Sequence, residues 1–180
     1  MQIRPIDQDH NLFAAHDIFS QDLVDQIAAT DWLSLPWTRQ QGQESWARRR
    51  VSTDGLLWYT QWEQECKLLW PEIAQAVGYD LAEYQGTAWW LDEPGFTCGM
   101  HTDGEMPGAM QITWVGDAEL GTAFYHYKNV NSLRHKFLAG ANNAYIMINR
   151  PDATGYRKLQ WHAMLTPVSK YRVSSYSWIH

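Results

Sequence analysis

The chain has 180 residues, 45% of them hydrophobic, and a net charge of −6. That is enough for one domain, 1–180, with a real core, and it disfavours a disordered chain or a broad electrostatic grip on nucleic acid. No apolar run approaches the roughly 20 residues that span a bilayer, so no membrane partner is expected. The opening stretch MQIRPIDQDHNL lacks the apolar core of a secretory signal. Cys66 and Cys98 form neither a metal-type pair nor a disulfide framework, so a reducing cytoplasm is the natural location.

In chain order, Ser20 is placed as the N-cap of a helix through QDLVDQIAATDW, with Phe19 and Val24 positioned for a hydrophobic staple. The polar stretch TRQQGQESWARRRVSTDG reads as a long loop with some strand. Its basic run Arg48-Arg49-Arg50 has two readings: a solvated loop or edge strand, or an anion-binding flap beside a site. The segment Thr38 to Asp54 is a candidate substrate lid, or else a surface excursion of no consequence. Thr60 with Glu63 makes a T-x-x-E capping box opening a second helix, which Pro71 would kink or restart and Gly78 would end.

From about Thr87 the pattern changes. TAWWL, FTCGMHTD, AMQITWVG, TAFYHYK, NAYIMIN, WHAMLT and YRVSSYSWI are short, rich in aromatic and branched residues, and separated by turn residues. The expected fold is mainly β (α+β). Residues 1–86 form a helical support and loop region, and 87–180 form a sandwich or barrel with the helices packed on one sheet. Eleven tryptophans suit either a core or a pocket wall, and most are expected to be structural.

Within FTCGMHTD, His101 and Asp103 stand two apart. On a strand both would face the same way and could hold one ion, and nitrogen plus carboxylate suits iron, manganese or zinc. A lone H-x-D arises readily by chance in a chain with seven histidines. Support comes from His162, in an apolar strand-like segment 59 residues beyond Asp103, and from Arg172 and Ser174 in the next one.

The order His101-Thr102-Asp103, His162, Arg172-Val173-Ser174 resembles the Fe(II)- and 2-oxoglutarate-dependent oxygenases, over about residues 87–178. The likeness is to the prolyl-hydroxylase-like branch, where a proline-valine such as Pro167-Val168 is common between the distal histidine and the arginine. A glycine-led strand such as LGTAFYHY also fits. The resemblance implies a double-stranded β-helix, a jelly-roll, cupin-like barrel. It implies that His101, Asp103 and His162 ligate Fe(II), that Arg172 pairs with the distal carboxylate of 2-oxoglutarate, and that Ser174 hydrogen-bonds it. The implied activity is a dioxygenase that consumes O2, decarboxylates 2-oxoglutarate to succinate and hydroxylates an unactivated C–H bond, with ascorbate as a reductant. Asp103 argues for hydroxylation over halogenation. The implied partners are 2-oxoglutarate and a primary substrate of the prolyl, amino-acid, peptide or small-molecule kind.

An arginine fork suits a planar carboxylate, and a buried arginine is costly unless an anion is bound firmly or another is held in its place. The chain departs from the family where relatives carry a tyrosine or asparagine reaching the keto acid. The stand-ins are Trp90, Gln111 or Trp114, and Lys170 is a second cationic candidate beside Arg172. His126 is read as packed or exposed rather than as a site residue. The competing reading is a non-oxidative cupin-like metal protein, either a zinc hydrolase or a binding module.

Overall fold

The computed structural model describes residues 1–6, 11–38, 47–79, 83–104, 106–150 and 159–179. Among them lie two helices, α1 (Gln21–Ala28) and α2 (Tyr59–Val77). The strands before and between them are β1 (Gln2–Pro5), β2 (Leu12–His16), β3 (Trp37–Thr38) and β4 (Arg48–Val51). The rest follow α2: β5 (Tyr84–Asp92), β6 (Cys98–His101), β7 (Gly108–Val115), β8 (Gly121–Tyr125), β9 (Leu133–Leu138), β10 (Asn143–Ile148), β11 (Trp161–Met164) and β12 (Arg172–Ile179). No helix among the described residues is long and apolar enough to cross a membrane.

The fold is mainly β, in two antiparallel sheets consistent with a jelly roll. The larger sheet runs β1-β2-β10-β7-β12-β5-β4-β3 and the smaller β6-β11-β8-β9. All seven segments expected as strands contain one. The region before Thr87 supplies strands as well as helices: β1 and β2 extend one end of the large sheet, and β3 and β4 extend the other. The strand β9 lies outside the expected set. It is an edge strand whose LRHKFL is mostly half-buried or exposed, so it carries little hydrophobic alternation.

Period-two alternation sends the two faces of the large sheet to different surroundings. On one face Trp89 and Leu91, Met110 and Ile112, and Ile146 share a buried cluster with Leu23 and Ile27 of α1 and Trp62 and Trp70 of α2. Six of the eleven tryptophans belong to this cluster, so most of the aromatic excess among them is structural. Trp62 lies 4.8 Å from Trp89 and 5.7 Å from Trp114, edge-on in both cases. Its indole N–H donates to Thr87 Oγ1 at 3.0 Å, so the ring is buried without an orphaned donor. On the other face, Ala109, Tyr145 and Met147 pack with Phe124 of the small sheet. That inter-sheet space holds the site.

Ser20 caps α1 as expected, its side chain accepting from the Leu23 N–H. The second helix begins at Tyr59, with Trp58 at the cap position and no side-chain cap, so the Thr60 capping box does not form. Trp58 is buried in the aromatic cluster, and that packing sets where the helix starts. Pro71 sits inside one unbroken helix. It is exposed, as is Lys67, whose carbonyl loses its helical partner on the solvent side, while Trp70 and Ile73 are buried on the other. Gly78 ends α2 in the left-handed conformation, φ 66°. Gly121 opens β8 where a Cβ would fall 1.7 Å from the Phe137 carbonyl oxygen of β9, so only glycine permits this pairing.

Candidate functional site

His101 on β6 and His162 on β11 are directly paired across the small sheet, and their ring centroids are 4.3 Å apart. Asp103 lies just past the end of β6. Its Oδ1 stands 3.3 Å from His101 Nε2 and 3.4 Å from His162 Nε2. One ligand atom from each of the three residues falls within 4.8 Å of the other two, so the set could hold a single metal ion. Each imidazole is oriented by the same device. His101 Nδ1 meets the Gly99 carbonyl at 2.8 Å, and His162 Nδ1 meets the Gln160 carbonyl at 3.0 Å. A carbonyl only accepts, so Nδ1 carries the hydrogen in both rings and Nε2 is left for a metal. Tyr176 of β12 donates to Asp103 Oδ2 at 2.6 Å, which leaves Oδ1 turned toward the histidines.

The electrostatics follow from this packing. In the ion-free chain, hydrogen bonding to Asp103, and then to Cys98, raises the His101 imidazole to about 10. Burial alone would raise the Asp103 carboxyl, but hydrogen bonds from His101 and His162 outweigh it and hold the group well below the usual range. Burial lifts the Tyr176 hydroxyl well above its ordinary value, so it remains a donor. A cation would thus meet an anionic carboxylate and take the place of a proton on His101. The His101 side chain is 41% exposed and that of His162 is 6% exposed, so the triad spans the step from solvent to interior.

The triad borders a cavity of about 270 Å³ that also reaches Arg48, Trp90 and Arg172. Across the large sheet Asp92 of β5 pairs in register with Arg48 of β4 on one side and Arg172 of β12 on the other. Arg48 Nε donates to Asp92 Oδ1 at 2.6 Å and Arg172 Nε donates to Asp92 Oδ2 at 2.7 Å. Asp92 is fully buried and Arg172 nearly so. Burial opposes charge on both guanidiniums; Asp92 outweighs it at Arg48, whose pKa is raised, but not at Arg172, whose pKa is lowered. Two cations share one carboxylate.

No protein-family model and no curated protein matches the chain. Solved structures do. A Pseudomonas putida prolyl-4-hydroxylase superposes with a TM-score of 0.64 at 11% identity, over 95% of this chain and 92% of that one. A full-length Neurospora crassa protein in complex with alpha-KG gives 0.67 at 12%, over 95% and 74%. A Trichoplax adhaerens prolyl hydroxylase bound to a peptide fragment of the hypoxia inducible factor oxygen degradation domain gives 0.69 at 9%, over 94% and 83%. The fold is that of the prolyl-hydroxylase-like 2-oxoglutarate oxygenases.

Within this oxygenase fold the residues singled out from sequence divide. His101, Asp103, His162 and Arg172 all border the one cavity, as do Trp90 and Gln111. Ser174 does not. It is fully buried, with an Oγ lacking a hydrogen-bond partner among the described residues, at a point where β12 shifts register against β7. Trp114, an odd number of residues from Gln111, faces the helix-side cluster, and its indole donates to Ser175 Oγ at 2.8 Å. Lys170 is exposed and precedes β12, so strand parity with Arg172 does not extend to it. His126 is exposed. Of the segment Thr38 to Asp54, Thr38 ends β3 and Arg48–Val51 form β4, while residues 39–46, on which the lid reading depends, lie outside the described residues.

Besides Thr122, Ala163 and Met164, three cavity residues escape the sequence reading. Tyr176 had a usable signal, since it continues the 172, 174, 176 alternation. Tyr145 of β10 donates a hydrogen bond to Gln111 and borders the same cavity. Cys98, with its Sγ 3.6 Å from His101 Nδ1, had none beyond its place on β6. Arg48 belongs to the basic run whose second reading is an anion-binding flap, but that reading does not single it out from Arg49 and Arg50.

Proposed function

We propose that this chain is an Fe(II)- and 2-oxoglutarate-dependent dioxygenase with a double-stranded β-helix core on which the N-terminal helices pack. The carrying observation is that a His-Asp-His set and a surplus guanidinium charge border one cavity. His101, Asp103 and His162 would hold Fe(II), for which two imidazoles and one carboxylate are a suitable donor set. With 2-oxoglutarate and O2 bound, the iron would supply C–H hydroxylation coupled to decarboxylation to succinate.

The chain's own residues have definite tasks. Gly99 and Gln160 carbonyls hold the two imidazoles in the ligating tautomer, and Tyr176 holds the Asp103 carboxylate. Arg172 would anchor the distal carboxylate of the keto acid, with Trp90, Gln111 and Tyr145 on the wall beside it. The primary substrate would be a prolyl or other amino-acid or peptide group, a reading supported by the fold likeness to prolyl hydroxylases. Ascorbate would keep the iron reduced.

One observation favours the non-oxidative alternative: Arg172 already has a carboxylate partner in Asp92, as a purely structural arginine would. Turnover separates the two. With Fe(II), ascorbate and O2, the wild-type chain is expected to convert 2-oxoglutarate to succinate slowly without a primary substrate, and His162→Ala is expected to abolish it. No succinate, together with no keto-acid binding to the iron form under anaerobic conditions, leaves the non-oxidative metal protein.

A further inference from the structure

The Arg48–Asp92–Arg172 rung carries an inference beyond the reading above, and it rests on that reading. The three residues sit side by side on β4, β5 and β12, each neighbouring pair in direct register, so the rung is built into the sheet rather than into a flexible loop. Its charges do not balance. Asp92 contributes one negative charge and the two arginines contribute two positive ones, in surroundings where the Arg172 side chain is 2% exposed and that of Arg48 15%. Burying an uncompensated guanidinium is unfavourable, and a bound anion relieves it.

Donors are also left over. Asp92 takes the Nε of both arginines, one on each carboxylate oxygen, and Arg172 Nη2 lies 2.5 Å from the same Oδ2. Arg172 Nη1 points instead at the Met164 sulfur, 2.7 Å away and a weak acceptor that a carboxylate oxygen would outcompete. Arg48 Nη1 has no hydrogen-bond partner among the described residues, and only Nη2 makes a second, longer contact to Asp92, at 3.3 Å. Phe96 lies under both guanidiniums, its ring centre 4.4 Å from Arg48 Cζ and 5.9 Å from Arg172 Cζ, and Trp90 flanks Arg48 at 5.2 Å. These rings fix the planes of the forks without consuming a donor. Both arginines border the cavity shared with the metal-type triad, and Asp92 does not.

We propose that Arg48 is a second binding residue for the distal carboxylate of the keto acid, which it shares with Arg172 across Asp92. The single surplus charge of the rung then selects 2-oxo acids bearing one distal carboxylate over monocarboxylate 2-oxo acids. Asp92 sets the spacing of the two forks and keeps the surplus at one charge.

The test is anaerobic titration of the Fe(II)-loaded full chain, followed by the metal-to-ligand absorption band, with 2-oxoglutarate and with 2-oxopentanoate, which has the same carbon chain but no distal carboxylate. Arg48→Gln is expected to weaken 2-oxoglutarate roughly tenfold or more, as loss of a charged hydrogen bond does, while 2-oxopentanoate binding changes less than about twofold. Arg48→Lys, which keeps the charge and loses the fork, is expected to fall between. It also serves as the test variant if Arg48→Gln does not fold, and must then weaken 2-oxoglutarate selectively. Unchanged 2-oxoglutarate affinity in these variants, or an equal loss for both ligands, overturns the role of Arg48 and leaves the oxygenase reading standing. Failure of the wild-type chain to bind 2-oxoglutarate overturns both.

Discussion

Among single residues, the site depends on hydrogen bonds that hold the ligating groups still. Asp103 offers Oδ1 to two imidazoles because Tyr176 occupies Oδ2. Tyr176→Phe removes that constraint without opening a cavity, since only the hydroxyl is lost. Outer partners of this kind are worth roughly 10- to 100-fold in metal affinity. Calorimetric titration of the variant with Mn(II) should therefore show affinity reduced by about that factor, with thermal stability lowered far less than by a core truncation. The two backbone carbonyls that orient His101 and His162 cannot be mutated away, which makes this part of the site insensitive to side-chain change.

Between elements, Ser20 does more than cap α1. Its hydroxyl donates to Glu65 Oε1 at 2.6 Å and its backbone N–H donates to Glu65 Oε2 at 3.0 Å, which ties the start of α1 to the side of α2. Ser20→Ala removes the cap and half of this tie together, and is expected to cost about 1–2 kcal/mol, at the upper end for a lone cap. Glu65→Ala removes the tie and a 2.9 Å contact from Gln61 but leaves the cap. Urea unfolding of both single variants and the double variant should give less than additive losses, because the two residues share one interaction. The cap at Ser20 is readable because it depends on nearest neighbours along the chain. The start of α2 is not, because buried Trp58 overrides the local Thr60–Glu63 signal.

Across the molecule, one sheet serves two purposes. Adjacent residues Trp89 and Trp90 on β5 go to opposite sides, the first into the helix-side core and the second to the cavity wall. The stabilising face and the site face are thus separate surfaces of the same strands. Trp62→Ala, which removes a fully buried ring from the helix-side cluster, is expected to lower stability by about 3–5 kcal/mol in denaturant unfolding. The fraction that remains folded should bind metal as the wild type does, because the cavity lies on the far face of the sheet.

Features that rest on short-range periodicity are legible in the chain alone: seven of the eight described strands after α2, the α1 cap, the αL end of α2, and the pairing of His101 with Asp103. Together with the spacing to His162 and Arg172, they carry the family resemblance. Features that depend on register between distant strands needed the folded molecule. Arg48 and Arg172 stand 44 and 80 residues from Asp92 in sequence, and the three become one rung because β4 and β12 both pair with β5. Alternation identifies which residues share a face, but it does not say which strand lies opposite. Hence the sequence shows Asp92 only as the end of a strand before a turn, not as the carboxylate held between two arginines, and Arg48 as one of three equivalent basic residues. The separation of Arg48 from Arg49 and Arg50 comes from pairing: Arg49 meets Glu93, Arg50 is exposed, and Arg48 alone of the three borders the cavity.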